Sequence, residues 1–159
     1  MTHEDAVRHF SYDHYTGKLT NRIDRHLAKA GDESGFVCRR HGYRFVKFNG
    51  ERIAAHRLIW LIVHAHLPRF EIDHINGIKH DNRLENLRDV PHQINVQNLR
   101  GCISSSSTGL LGVGPKGRKW RARITVNKVV QHLGTFETKE QAIEAYITAK
   151  RYVHTGCTI

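Results

Sequence analysis

Three runs decide the reading of this chain: Glu71-Ile72-Asp73-His74-Ile75-Asn76-Gly77, then Asn82-Arg83-Leu84-Glu85-Asn86-Leu87-Arg88, then His92-Gln93-Ile94-Asn95-Val96-Gln97-Asn98. Phe70 to His74 suits a short strand, Asn76-Gly77 turns the chain, and Leu87 to Val90 can return. Pro91 can stand at the first position of a closing helix, where its missing N–H is not needed. In such a β-β-α hairpin the end of the first strand faces the start of the helix. That predicts Asp73 and His74 near Asn95.

A carboxylate and an amide oxygen are hard ligands, suited to Mg²⁺ or Mn²⁺ with water and phosphate oxygens completing the shell. A neutral imidazole beside a bound phosphate can take a proton from water near neutral pH. The metal would polarise the phosphate and stabilise the leaving oxygen. These parts suffice for one-metal phosphodiester hydrolysis. Adjacent strand residues point to opposite faces, so Asp73 and His74 must act through local twist or from two sides.

Outward from this core, residues 1–55 read as β-rich. Tyr12 to Thr20 brackets a turn at Thr16-Gly17. Gly42 to Phe48 alternates apolar and polar, Asn49-Gly50 is a hairpin turn, and Arg52 to Ala55 returns. His56 to His66 reads as a helix with Leu58, Leu61, Ile62 and Ala65 on one face, widened by Ile59, Trp60 and Val63, and stopped by Pro68. His56, at the strand–helix junction, can cap the helix or touch the site, with the structural role favoured; Trp60 is taken as core, and Asn76 and Asn82 as turn and loop formers. Residues 101–109, Gly101-Cys102-Ile103-Ser104-Ser105-Ser106-Ser107-Thr108-Gly109, read as a linker between two domains. Beyond it, Leu111 to Val113, Trp120 to Val126 and Val129 to Phe136 are expected strands, with turns at Gly114 to Gly117 and Asn127-Lys128. Thr138-Lys139-Glu140-Gln141 is a capping box that opens a helix with Ala142, Tyr146, Ala149 and Val153 on one face and Gly156 beyond its end. The expected class is therefore α+β.

Across 159 residues there are 25 Lys and Arg against 15 Asp and Glu, a formal charge of +10, which points to a polyanionic partner. The excess is uneven: residues 1–100 hold 16 basic and 12 acidic side chains, and residues 101–159 hold 9 and 3. Lys116, Arg118, Lys119, Arg121, Arg123 and Lys128 fall within one short stretch without an acid. Alternation turns Trp120, Ala122, Ile124 and Val126 toward the helix and Lys119, Arg121, Arg123 and Thr125 toward solvent, where such a face can lie in a DNA groove. The three cysteines, Cys38, Cys102 and Cys157, are far apart and form no CxxC, so a disulfide framework and a structural zinc site are not expected. The acidic Met1-Thr2-His3-Glu4-Asp5 is unlike a signal-peptide start, and a cytoplasmic location is expected.

Residues 52–98 resemble the HNH endonuclease family, in the subgroup common among phage homing endonucleases. The resemblance runs through Ala55-His56-Arg57-Leu58-Ile59-Trp60, Ile72-Asp73-His74-Ile75-Asn76-Gly77, and Asn86-Leu87-Arg88 with Asn95. It implies a ββα-metal motif over residues 56–100. Asp73 and Asn95 would be the ligands of one Mg²⁺ or Mn²⁺, His74 the general base, and Asn86 the residue that braces the loop and orients His74. The products implied are a 5′-phosphate and a 3′-hydroxyl. The last motif position is often histidine in that family; Asn98 or His92 would substitute if the register slipped. Residues 110–156 resemble the AP2 DNA-binding domain through Gly112-Val113, Lys119-Trp120-Arg121-Ala122-Arg123-Ile124, His132-Leu133-Gly134-Thr135-Phe136 and Ala145-Tyr146. That implies a sheet in the major groove, with Arg121, Arg123, Thr125, Val130 and His132 near bases or phosphates; Leu111 and Gly114 depart from the plant members' arginines. Together the resemblances imply a site-specific, phage-encoded DNA endonuclease that acts in a bacterial host on double-stranded DNA. The sequence itself shows no heptads, so a monomer is expected over a dimer, with no obligatory protein partner, and no apolar run approaches the ~20 residues that span a bilayer. The competing class is a DNA-binding regulator with a decayed nuclease fold; an RNA-directed nuclease is the third.

Overall fold

The computed structural model describes residues 1–25, 28–99 and 111–158. The chain forms two compact units, Met1–His92 and Gln93–Ile159. The expected linker at residues 101–109 lies outside the described residues.

In the first unit, helix α1 (His3–His9) leads into strands β1 (Phe10–Asp13) and β2 (Lys18–Asn21). Strands β3 (Phe36–Val37), β4 (Arg44–Phe48) and β5 (Glu51–Ala54) form an antiparallel sheet in that order. Helix α2 (Ala55–His64) follows without a break, then strands β6 (Glu71–His74) and β7 (Leu87–Val90), which pair antiparallel. The local reasons are the expected ones for the β4–β5 hairpin: Asn49 (φ 48°) and Gly50 (φ 81°) supply the two left-handed positions of its turn. One core serves the whole unit, with Ala6, Phe10, Leu19, Val46, Leu58, Ile59, Leu61, Ile72 and Leu87 buried together. Helix α2 and the β6–β7 hairpin are thus anchored to the N-terminal strands by shared apolar area.

Several expectations are corrected. Helix α1 is additional to the β-rich reading; a capping box between Thr2 and Asp5 closes its first turn. Helix α2 ends before Pro68, because Ala65 takes the left-handed conformation (φ 60°) as its C-cap. Ala65 is exposed rather than part of the apolar face, and Val63 is 41% exposed, so α2 is amphipathic. The expected turn at Asn76-Gly77 is present, with the Gly77 N–H donating to the His74 carbonyl at 2.8 Å and Gly77 at φ 72°, but it opens a long loop over 75–86, with a 3-10 turn at Leu84–Asn86, before β7 returns. Gly17 (φ 72°) locks the β1–β2 hairpin against that loop: a Cβ there would lie 2.6 Å from the Arg83 backbone nitrogen.

The second unit contains helix α3 (His92–Gln97) from Gln93 onward, strands β8 (Val113–Lys116), β9 (Lys119–Val126) and β10 (Val129–Phe136) in the order β10-β9-β8, and helix α4 (Lys139–Val153). The Thr138–Gln141 capping box is present. Val113, Ala122 and Ala142 are buried, with Trp120, Leu133, Phe136, Ile143 and Tyr146 packed on them. Strand β8 begins at Val113 instead of ending there, and runs through Gly114 and Pro115 to Lys116. Proline is tolerated because β8 is an edge strand, with one row of hydrogen bonds to lose. Helix α4 caps at His154 (φ −105°), so Gly156 is not its left-handed C-terminal residue. Among the described residues no helix is long and apolar enough to cross a membrane.

Gly17→Val is expected to lower unfolding stability by at least about 2 kcal/mol, since it combines a left-handed backbone with a backbone clash. Urea titration checks this; an unchanged midpoint would mean that the hairpin does not press on the loop.

Candidate active site

The β6–β7 ladder sets Asp73 opposite Arg88 and His74 opposite Leu87. Both functional candidates are nearly inaccessible, Asp73 at 6% and His74 at 4%. Alternation sends them to opposite faces, and each meets a different partner. Arg88 grips one carboxylate oxygen of Asp73, with Nε at 2.8 Å and Nη2 at 2.7 Å from Oδ2. His74 Nε2 donates to Oδ1 of Asn82 at 3.1 Å. Burial pushes the His74 imidazole below the ordinary histidine range, against the pull of that hydrogen bond and of the Asp73 and Asp81 carboxylates. Burial therefore favours the uncharged ring.

The loop between the strands is held by amide side chains. Asn86 Oδ1 accepts from the Asn76 backbone N–H at 2.8 Å, and Asn86 Nδ2 donates to the Asp81 carbonyl at 2.7 Å. Asn76 Nδ2 donates to Asp81 Oδ2 at 2.7 Å, while its Oδ1 accepts from the Ile78 N–H at 2.8 Å. Arg83 adds Nε and Nη2 to the Asp81 carboxylate at 2.9 and 2.8 Å. These donors, Arg83 first, hold the Asp81 carboxyl down to about 2. The N-terminal hairpin joins in through Tyr12, whose hydroxyl accepts from Leu84 N–H at 2.8 Å and donates to the Asn82 carbonyl at 3.1 Å. Asn82 is thus clasped on its backbone by Tyr12 and on its side chain by His74, and is 1% exposed. It was read from sequence as a loop former. Its burial depends on Tyr12, seventy residues earlier, which no local pattern reports.

Of the two readings of His56, contact with the candidate site is the one the rings favour. Its ring meets His74 edge-on at 5.3 Å, and Tyr43 packs against both rings at 5.4 and 5.8 Å. Its Nδ1 is buried without a hydrogen-bond partner among the described residues. Burial first, then His74 and Arg57, push its pKa down to about 3, so it is neutral. Tyr43, under the Lys79 ammonium at 5.0 Å, was not singled out from sequence; burial raises its phenol above the ordinary range. Trp60, expected in the core, is only half-buried and packs on its edge.

Asn95 is half-buried on α3, within the second unit. Of the two substitutes for it, His92 pairs with Glu71 at 2.9 Å, and Asn98 is 5% exposed with its Oδ1 accepting from the Thr158 hydroxyl. On the three-stranded sheet Ala122 and Ile124 are buried, while Lys116, Arg118, Lys119, Arg123, Thr125 and His132 are exposed and Arg121 is half-buried. A bulge between His132 and Gly134 keeps His132 opposite Arg123 and re-aims Leu133 toward the core. Glu137, not counted in the acid-free stretch, pairs with Lys119 at 2.5 Å.

Fold and site together define a small α+β protein whose antiparallel hairpin presents a buried acid–imidazole pair beside a neutral histidine. Residues 54–97 match the family model described as HNH endonuclease, so this segment is an HNH endonuclease domain. No curated protein and no solved structure matches the chain. The family typically uses a divalent metal. Among the described residues no group of three or more His, Cys, Asp or Glu could hold an ion. Within the hairpin, Asp73 supplies a hard carboxylate oxygen donor, of the kind that suits a partly hydrated hard cation better than a tetrahedral zinc.

Asp81→Asn is expected to cost roughly 1–2 kcal/mol of stability at neutral pH through the loss of its charged hydrogen bonds. Because folding lowers the Asp81 pKa, that stabilisation is full above about pH 4 and disappears as pH falls through about 2. Denaturation of both proteins across that window should show the gap closing; a constant gap would contradict the loop network.

Proposed function

We propose that the chain is a site-specific, divalent-metal-dependent DNA endonuclease of the homing type. The observation that carries this reading is the buried Asp73–His74 pair inside the HNH endonuclease domain, with the His74 ring tethered at Nε2 and its uncharged form favoured by burial. Donating Nε2–H to Asn82 leaves Nδ1 as the basic nitrogen of the neutral ring. In this account Nδ1 of His74 takes the proton of the attacking water, and Asn82 keeps the ring from turning. Asn86 keeps the loop closed behind it. Arg88 fixes the Asp73 carboxylate in one orientation, and Asp73 with Asn95 would hold one Mg²⁺ or Mn²⁺. When bound, the ion supplies charge stabilisation at the scissile phosphate and the leaving 3′ oxygen. His56 and Tyr43 pack their rings on the imidazole and add to its burial, which favours the uncharged form.

Lys116, Arg118, Lys119, Arg121, Arg123, Thr125 and His132 would contact the duplex. Support comes from the solvent-facing cations of β9 and from the AP2-like order of three strands and a helix. One site per chain favours nicking by a monomer.

His74→Ala should slow cleavage by roughly 10²–10⁴-fold while DNA binding stays within a few-fold. Single-turnover cleavage of phage genomic DNA, paired with a gel-shift titration, measures both; undiminished cleavage would remove His74 from its role. If six cations of the second unit meet phosphates, log K should fall against log salt with a slope of about −5. A slope near zero would remove the electrostatic part of the reading.

A further inference from the structure

We propose that the C-terminal tail positions the helix that carries Asn95, which makes Gln97, Lys150 and Gly156 positioning residues for metal binding. This rests on the reading of Asn95 as a ligand and extends it to residues some sixty positions away. The family match ends at residue 97, yet α3 from Gln93 onward groups with the second unit. A six-residue helix has little stability of its own, since isolated helices shorter than ~12 residues are marginal in water. Its position is therefore imposed by its partners.

At its first residue that partner is Glu71, paired with His92; from Gln93 onward, partners lie on the end of α4 and the tail beyond it. Lys150 is only 2% exposed, and its ammonium donates to the Leu99 carbonyl. The Gly156 N–H donates to Gln97 Oε1 at 2.9 Å. The Thr158 hydroxyl donates to Asn98 Oδ1. Gly156 also lies against the helix itself: a Cβ there would stand 2.3 Å from the Ile94 carbonyl oxygen and 3.0 Å from Ile94 Cγ2 and Gln97 Cβ. The anchor points are thus Ile94 before Asn95 and Gln97 to Leu99 after it. A metal ligand must be held to about 0.5 Å, and the placement of α3 within the second unit is set by glycine's lack of a side chain and by a buried ammonium. The charge of Lys150 is costly to bury unless its donors are satisfied, so it cannot be exchanged for an apolar side chain without freeing the Leu99 carbonyl.

The test uses the full chain and two variants. Gly156→Ala forces α3 away, and Gln97→Ala removes one tether without adding bulk, so the second stands if the first fails to fold. Both should raise amide hydrogen exchange in α3 while leaving β6 and β7 unchanged. Both should weaken Mn²⁺ binding, followed by calorimetry, by about tenfold or more, as loss of outer-shell support does elsewhere. DNA retention in EDTA should stay within about twofold, because the cationic sheet face is untouched. Wild-type protection of α3 in the variants overturns the proposal. So does a loosened α3 with unchanged Mn²⁺ affinity. Asn95→Ala separates the two levels: if it binds Mn²⁺ like wild type, the ligand assignment itself fails, whatever the tail does.

Discussion

Two consecutive side chains of a four-residue strand, Asp73 and His74, are withdrawn from water almost completely. That is tolerable only because each finds a partner on its own face: the Arg88 guanidinium for the acid and the Asn82 amide for the imidazole. Removing either partner would strand a buried polar group at a cost of several kcal/mol for the charged pair and about 1–3 kcal/mol for the neutral one. In the proposed reaction the same burial would serve the chemistry, since it holds the carboxylate in one pose and favours the neutral imidazole. Stability and the proposed reactivity would then draw on one arrangement.

That arrangement is supported from outside the hairpin. The N-terminal strands reach the loop through the Tyr12 hydroxyl and the close approach of Gly17, and the β4 region reaches the imidazole through Tyr43. Helix α2 delivers His56 at its first turn, edge-on to His74. Residues 1–55 therefore have a mechanical reason to precede the HNH domain: they are the wall against which its loop is set. The loop's own amides and the Asp81–Arg83 pair close it from within.

How much was legible in the sequence depended on range. Features written in adjacent residues were read well: the Asn49-Gly50 turn, the strand β7, the Thr138 capping box, and the alternation of Arg121, Ala122, Arg123 and Ile124. Helix α1 escaped because its cap uses Asp5 where the usual pattern has Glu or Gln. Strand β8 escaped because Pro115 reads as a turn unless its edge position is known. In the site, Asp73 and His74 stood out by their pairing in a short strand. Asn82, Tyr43 and His56 did not, since their roles come from contacts with residues 8 to 70 positions away. Gly156 carried the composition of a helix stop, and only tertiary packing on Ile94 gives it another task.

Anomalous diffraction at the manganese edge, from crystals of the full chain grown with Mn²⁺ and a DNA duplex, tests the central claim most directly. One peak is expected within coordination distance, about 2 Å, of an Asp73 carboxylate oxygen, with the phosphate backbone and the His74 ring beside it. A DNA-bound structure whose manganese lies elsewhere, with Asp73 held only by Arg88, would contradict it.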